Sequence, residues 1–244
     1  MIEVRWDGPV VMIALARGTA CNAVSIAGWE RLCGAAAEVQ GARVVLLRSD
    51  MTDIFSAGAD IGEFAALQAD PAARTRFRLA MRAGIEALAE LPMPVIAAID
   101  GGCFGAAVAL VLAADLRIAG DGAQFAVTPA RLGLGYPRQD VARLAAQVGR
   151  GRAGELLFTG EAIDADAAAQ IGLVERRAPN AAAAAEALAE RISANAPAAI
   201  RHLKRTLRGQ DDQRLDEAFD AAFGGAELAE GLAAFHSRRR PVFG

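Results

Sequence analysis

Apolar positions along this chain change period several times, and each change marks an element. Residues 2–6 and 10–15 flank Asp7-Gly8-Pro9, a turn sequence that predicts a short hairpin. Over 26–39 the pattern shifts to three-to-four spacing through Ile26, Trp29, Leu32, Cys33, Ala36 and Val39. This predicts a helix with Ser25 available as its N-cap. Residues 43–48, Arg-Val-Val-Leu-Leu-Arg, form a short apolar run bounded by charge, the pattern of a strand buried on both faces. A second amphipathic helix is predicted over 77–91, stopping before Pro92 and Pro94, and a strand follows at 94–99. Short strands at 116–119 and 124–125 and helices at 141–148, 154–157 and 165–170 continue the alternation, which argues for stacked ββα units with parallel strands. From Pro179 the composition becomes alanine-rich and helical, at 181–195, 197–207, 215–223 and 226–237. The chain thus divides into an α/β core, 1–180, and a helical segment, 181–244.

Two stretches carry the candidate chemistry. Phe55-Ser56-Ala57-Gly58-Ala59-Asp60-Ile61-Gly62-Glu63-Phe64 follows an apolar strand and precedes a helix-compatible segment. Its small side chains let a ligand approach the main chain, whose unpaired amides suit a developing negative oxygen. Downstream, Asp100-Gly101-Gly102-Cys103-Phe104-Gly105-Ala106-Ala107 repeats the order of strand, small-residue turn and helix. Two such turns can aim two amides at one carbonyl.

In these turns the chain resembles the enoyl-CoA hydratase/isomerase (crotonase) superfamily. The likeness extends over Asn22-Ala23, Leu132-Gly133, Phe158-Thr159-Gly160, residues 165–169, Gly172-Leu173-Val174 and the helical tail. It implies a crotonase-like spiral of ββα units with a C-terminal helical segment that packs onto the core and onto neighbouring subunits, in a homotrimer or hexamer. It implies an acyl-CoA thioester as substrate, with coenzyme A entering as part of that substrate and no tightly bound cofactor. The matching oxyanion donors are the N–H groups of Ala59 and Ala106. Ala57, Gly58, Asp60 and Ile61 on the first turn, with Arg17, are the expected contacts for the CoA portion, and Lys204 resembles a position that in relatives approaches CoA from an adjacent subunit.

The resemblance also shows what has been lost. In hydratases of the family one Glu lies three residues beyond the second amide, where this chain has Ala109, and another follows a Pro at the place of Pro129. Relatives with a catalytic aspartate carry it at the place of Pro137. A methyl group and a pyrrolidine ring transfer no proton, so ordinary hydration is disfavoured. Tyr136, the only tyrosine, lies in Thr128-Pro129-Ala130-Arg131-Leu132-Gly133-Leu134-Gly135-Tyr136-Pro137, which resembles the corresponding stretch of methylmalonyl-CoA decarboxylases. Its hydroxyl either orients a carboxylate or enolate, or the ring simply packs in a loop. The histidine those decarboxylases carry before the first-turn aspartate is Ala59 here. Asp140 reads as the N-cap of the helix at 141–148, Asp60 as a brace of its own turn, and Asp115 as a structural acceptor. Two readings stand: an enzyme that decarboxylates or hydrolyses a particular acyl-CoA, and a non-catalytic acyl-CoA-binding protein.

Composition narrows the field. The formal net charge is -3 and basic residues are dispersed, so no nucleic-acid or anionic-membrane footprint is expected; Arg238-Arg239-Arg240 reads as a solvated cluster. Three cysteines without Cys-x-x-Cys spacing fit a reducing cytoplasm, and no apolar run reaches the length of about 18 residues that spans a bilayer. With only His202 and His236, neither a Ser-His-Asp triad nor a metal centre is expected.

Overall fold

The computed structural model describes residues 2–209 and 213–244. Met1, at the start of the N-terminal stretch, and residues 210–212, within the helical segment, lie outside the described residues. Strands β1 (Ile2–Asp7) and β2 (Val10–Leu15) pair antiparallel, Ile2 opposite Leu15 and Asp7 opposite Val10, as the turn chemistry predicts. Helix α1 (Ile26–Glu38) begins where Ser25 Oγ accepts the Gly28 N–H at 3.2 Å and buries Trp29 and Leu32.

Three ββα units follow. The first holds β3 (Val44–Ser49), β4 (Ile54–Ser56) and helices α2 (Phe64–Ala69) and α3 (Pro71–Ala89). The second holds β5 (Val95–Ile99), β6 (Gly102–Phe104) and α4 (Ala106–Val111), and the third β7 (Leu116–Ala119), β8 (Gln124–Ala126) and α5 (Arg138–Thr159). After β9 (Ile163–Asp164), α6 (Ala165–Gln170) and β10 (Arg176–Arg177) come α7 (Ala181–Ser193), α8 (Pro197–Leu207), α9 (Gln213–Ala222) and α10 (Ala226–His236). Each unit gives its first strand to a six-stranded sheet, β1-β2-β3-β5-β7-β10, and its second to a four-stranded sheet, β4-β6-β8-β9. Pairing is parallel except at β1–β2 and β8–β9.

The continuous apolar runs of the central strands are explained by burial on both faces. Val45, Leu47, Val95, Ala97 and Ile99 face the main core, while Val44, Leu46, Ile96, Ala98 and Ile118 pack beneath Ala181, Ala185 and Ala189 of α7. Helix α7 is therefore a layer of the core, although composition places it in the helical segment. Its first turn is held by Asp100, whose Oδ1 accepts the Ala181 N–H at 2.9 Å and whose Oδ2 accepts the Ala182 N–H at 3.1 Å.

Several sequence boundaries shift for local reasons. Helix α3 starts at Pro71 rather than 77, because Asp70 Oδ1 accepts the Ala72 N–H at 2.8 Å and Pro71 suits the first helical position. The stretch 100–107, read as a turn alone, contains β6, which is paired on both sides. The helices predicted at 141–148 and 154–157 are the two arms of α5, which Gly149 separates at φ +79° and ψ 157°, and both arms start earlier than predicted. That element opens at Arg138 behind Pro137, so Asp140 lies inside its first turn and makes no capping bond.

Candidate active site

The first turn is built on a buried asparagine. Asn22, at positive φ, accepts the Arg17 N–H at 2.7 Å through Oδ1 and donates through Nδ2 to Ser49 Oγ at 2.8 Å and Phe55 O at 3.1 Å. Ser56 Oγ donates to Asn22 O at 2.7 Å and accepts the Gly58 N–H at 3.0 Å. These bonds lay residues 57–60 alongside 21–24: Val24 N–H donates to Gly58 O at 2.7 Å, and Asp60 N–H to Val24 O at 3.0 Å. In extended backbone successive peptide groups point to opposite sides. With Gly58 O and Asp60 N–H facing Val24, the Ala59 N–H is turned the other way.

The second crossing passes close by. Gly58, at φ +94°, lies so close to this backbone that a Cβ would sit 2.5 Å from Phe104 O and 2.9 Å from Ala106 N. Only glycine meets both demands. Ala106 is the first residue of α4, and its N-terminal neighbour Gly105, at φ 55° and ψ -122°, is tied to β8 by its N–H, which donates to Ala126 O at 2.8 Å. Among the described residues no acceptor is assigned to the N–H of Ala59 or of Ala106. The Ala59 and Ala106 N–H groups thus belong to two strand-to-helix crossings that meet at Gly58.

Charged groups flank the first turn. Arg17 Nη1 contacts Asp60 Oδ2 at 2.6 Å and donates to Ala23 O at 2.8 Å, and Asp60 Oδ1 accepts the Gly62 N–H at 3.0 Å. The Arg17 hydrogen bond, helped by that N–H, outweighs burial and holds the Asp60 carboxyl below its ordinary range. A cavity of about 440 Å³ opens between Arg17, Val24, Gly28 and Arg31. Ala57 and Ile61 are exposed beside the turn, and Glu63 Oε2 accepts the Ile26 N–H at 2.9 Å, fastening the turn to α1.

Tyr136 is drawn to the second turn. Its hydroxyl accepts the Ala109 N–H at 3.0 Å and donates to Gly105 O at 3.0 Å, inserting between a helical donor and the carbonyl four residues before it. Its only proton is engaged, and burial, with Asp140 next in importance, raises its pKa well above the ordinary phenol value. Asp140, in the first turn of α5, has a side chain only 7% exposed, and no hydrogen bond to its carboxylate is assigned among the described residues. Its nearest cation is Arg143 Nη1 at 3.9 Å, an atom itself buried without a hydrogen-bond partner. Burial pushes the Asp140 carboxyl up, against the pull of Arg143.

Lys204 is not gathered into this cluster by its contacts. Its Nζ is buried, donates to Met93 O at 2.6 Å and pairs with Asp115 Oδ2 at 2.6 Å. Asp115 also accepts the Val95 N–H at 2.7 Å and pairs with Arg208 at 3.1 Å, the structural role its position suggests. The structure therefore brings together Ala57, Gly58, Ala59, Asp60, Ile61, Arg17, Ala106 and Tyr136, while within one chain Lys204 joins Met93 O and Asp115. Sequence reasoning missed Ser56 and the buried state of Asp140. The serine's signal lay in its place two residues before Gly58; no local pattern distinguishes Asp140 from a cap.

Two sheets built from successive ββα units and flanked by helices make an α/β protein, and its structural neighbours share the crotonase fold. The model of the enoyl-CoA hydratase/isomerase family matches residues 6–244, and the chain belongs to that family. It is 33% identical over 256 residues to a Mycobacterium leprae protein named probable enoyl-CoA hydratase echA6, covering 100% of this chain and 99% of the relative. Among solved structures, an enoyl-CoA hydratase/carnithine racemase from Magnetospirillum magneticum superposes with TM-score 0.95 at 31% identity, covering 100% of this chain and 95% of that one. The enoyl-CoA hydratase of Bacillus anthracis gives 0.92 at 32% identity, over 99% and 98%.

Proposed function

We propose that this protein binds an acyl-CoA thioester with its carbonyl oxygen between the Ala59 and Ala106 N–H groups and stabilises the enolate that forms there. The observation that supports this reading is the close approach of Gly58 to Phe104 O and Ala106 N, where the turns that carry the two amides meet. Such donors strengthen as charge develops on oxygen and lower the barrier without carrying a proton. Ala57 and Ile61 are exposed beside the first turn, and Arg17, which lines the neighbouring cavity, suits the phosphates of coenzyme A.

Hydration requires a group that activates water and one that delivers a proton, and Ala109 and Pro129 supply neither. Decarboxylation of an acyl-CoA bearing a carboxylate on its α-carbon, or cleavage of a thioester, fits the remaining groups better. In the first, the carbon–carbon pair becomes the enolate held by the two amides, and carbon dioxide leaves. Tyr136, tied to Gly105 O, steadies the turn that presents Ala106. The full engagement of that hydroxyl favours a second reading, a non-catalytic acyl-CoA-binding protein. A cytoplasmic homotrimer or hexamer is the proposed setting for either.

A panel of enoyl-, malonyl-type and simple acyl-CoA thioesters, followed by mass spectrometry, separates these cases. Carbon dioxide loss or thioester cleavage that drops sharply in Tyr136→Phe with binding retained is the expected result. A water adduct on an enoyl-CoA overturns the argument from the missing glutamates. Binding without turnover across the panel selects the second reading.

A further inference from the structure

We propose that Tyr136 is a positioning residue for the enolate oxygen, acting from behind it through the peptide group that joins Gly105 to Ala106. The inference deepens the enolate reading and rests on it.

A planar trans peptide carries its acceptor and its donor on one rigid group, pointing in opposite directions. The N–H assigned to the substrate oxygen is that of Ala106, so the carbonyl at its back is that of Gly105. Tyr136 donates to this carbonyl at 3.0 Å, and the Ala109 N–H donates to the Tyr136 oxygen at 3.0 Å. The bonds form one chain: Ala109 N–H to phenol, phenol to Gly105 O, and at the far end the Ala106 N–H, which has no acceptor assigned among the described residues. Hydrogen bonds in such a chain polarise one another, so donation to the carbonyl strengthens the N–H of the same peptide as a donor. No proton moves. The hydroxyl acts on the substrate oxygen without touching it.

The insertion replaces an ordinary bond. In a regular helix the Ala109 N–H reaches Gly105 O directly, and here the hydroxyl stands between them. The Val108 N–H also donates to Gly105 O, at 3.0 Å. Thr128 Oγ1 approaches Gly105 on the Cα side, 3.4 Å from where a Cβ would stand, and no bond from it to the carbonyl is assigned among the described residues. Without the phenol, Gly105 O and the Ala109 N–H either close the helical bond, tilting the peptide, or lose a partner; both outcomes change the Ala106 donor. Tyr136 is itself held, because its ring packs against the main core and Pro137 restricts its backbone to extended conformations.

The first donor is backed in the same manner. The Ala59 N–H shares its peptide with Gly58 O, which accepts the Val24 N–H at 2.7 Å. Main chain supplies the backing there, whereas a side chain contributes it at Ala106. The Ala106 donor is therefore the one that a change of side chain can tune.

Tyr136 is the only tyrosine in the chain, so biosynthetic replacement by monofluoro- or difluorotyrosine alters this hydroxyl alone. Fluorine withdraws electrons and makes the phenol a progressively stronger donor, and the burial that raises its pKa keeps it protonated. The full chain is mixed with butyryl-CoA carrying 13C at the carbonyl, with binding followed by calorimetry and the carbonyl stretch by infrared difference spectra. In wild type the stretch should move down on binding. Tyr136→Phe should bind with retained affinity and lose about 10–30% of that downshift, the scale of one cooperative bond. The fluorinated proteins should enlarge the downshift in order of fluorine content. On any panel thioester that turns over, kcat should follow the downshift while KM stays constant. A tyrosine that merely packs would leave the fluorinated series flat, because fold and bonds are conserved. A flat series with an intact wild-type downshift overturns the proposal. Wild type that binds without a downshift overturns instead the enolate reading beneath it, and failure to bind any panel thioester overturns the acyl-CoA reading.

Discussion

Gly58 is where backbone conformation and site geometry meet in one residue. At φ +94°, with Phe104 O and Ala106 N within 3 Å of any added Cβ, alanine there must strain its own turn and push the second turn away. Gly58→Ala is therefore expected to lose about 1–3 kcal/mol in denaturant unfolding. Bound thioester should also lose the downward shift of its carbonyl stretch, measured by infrared difference spectra with a 13C label. A retained shift would show that the two amides do not act on that oxygen. Tyr136→Phe removes a hydroxyl that serves both Ala109 N–H and Gly105 O, with an expected cost of about 1–2 kcal/mol. Asp140 acts on stability in the opposite sense. Its folded pKa lies above the unfolded value of about 3.9, so its favourable share is complete below that pH and is lost as pH rises through the folded pKa. Asp140→Asn should accordingly melt higher than wild type at neutral pH, with the gap narrowing on acidification. A constant gap across that range would contradict the burial argument.

At the scale of elements, the clasp between α8 and β5 is the clearest case of a charge used for structure. Lys204 Nζ, Met93 O, Asp115, the Val95 N–H and Arg208 form one network at the mouth of a core strand. Removing one partner of a buried ion pair leaves the other uncompensated, so Lys204→Met should cost about 3 kcal/mol, moderated by Arg208. CoA affinity, measured by calorimetry on the folded fraction, should be unchanged; a loss of affinity without loss of stability would return Lys204 to the ligand. This network also marks the limit of sequence reading. Strands such as β3 and β5 are legible because burial on both faces leaves unbroken apolar runs, and α1 because Ser25 and its apolar spacing agree. Strand β6 is not, since Gly102-Cys103-Phe104 carries turn-like residues whose strand character comes wholly from β4 and β8. The two small-residue turns were legible because small residues recur at both crossings. Whether Lys204 or Asp140 faces a ligand, a partner or the interior depends on residues 20 or more positions away, such as Asp115 and Glu86.

For the whole molecule, the division that matters falls within the helical segment rather than at its start. Helix α7 is spent on the sheet, with Ala181, Ala185 and Ala189 buried. Helices α8, α9 and α10 instead present Leu207, Phe219, Phe223 and Phe235 to solvent, at 88, 57, 67 and 78% exposure, around an open groove lined by Ala199, Leu203, Phe219, Phe223 and Leu228. Exposed apolar faces of this extent are the kind that association covers. Assembly of identical chains through these helices follows from the family reading, and sedimentation or light scattering should return a particle three or six times the 25.3 kDa chain mass. Phe223→Arg places a charge on that face without touching the oxyanion turns, which α4 and β4 hold in the core. It should lower the mass toward one chain while leaving the fold intact by circular dichroism. If thioester binding survives in that single chain, the site is complete within one protomer; if binding disappears with assembly, a neighbouring copy contributes to it. A wild-type chain that sediments alone would remove the association argument and leave the exposed phenylalanines unexplained.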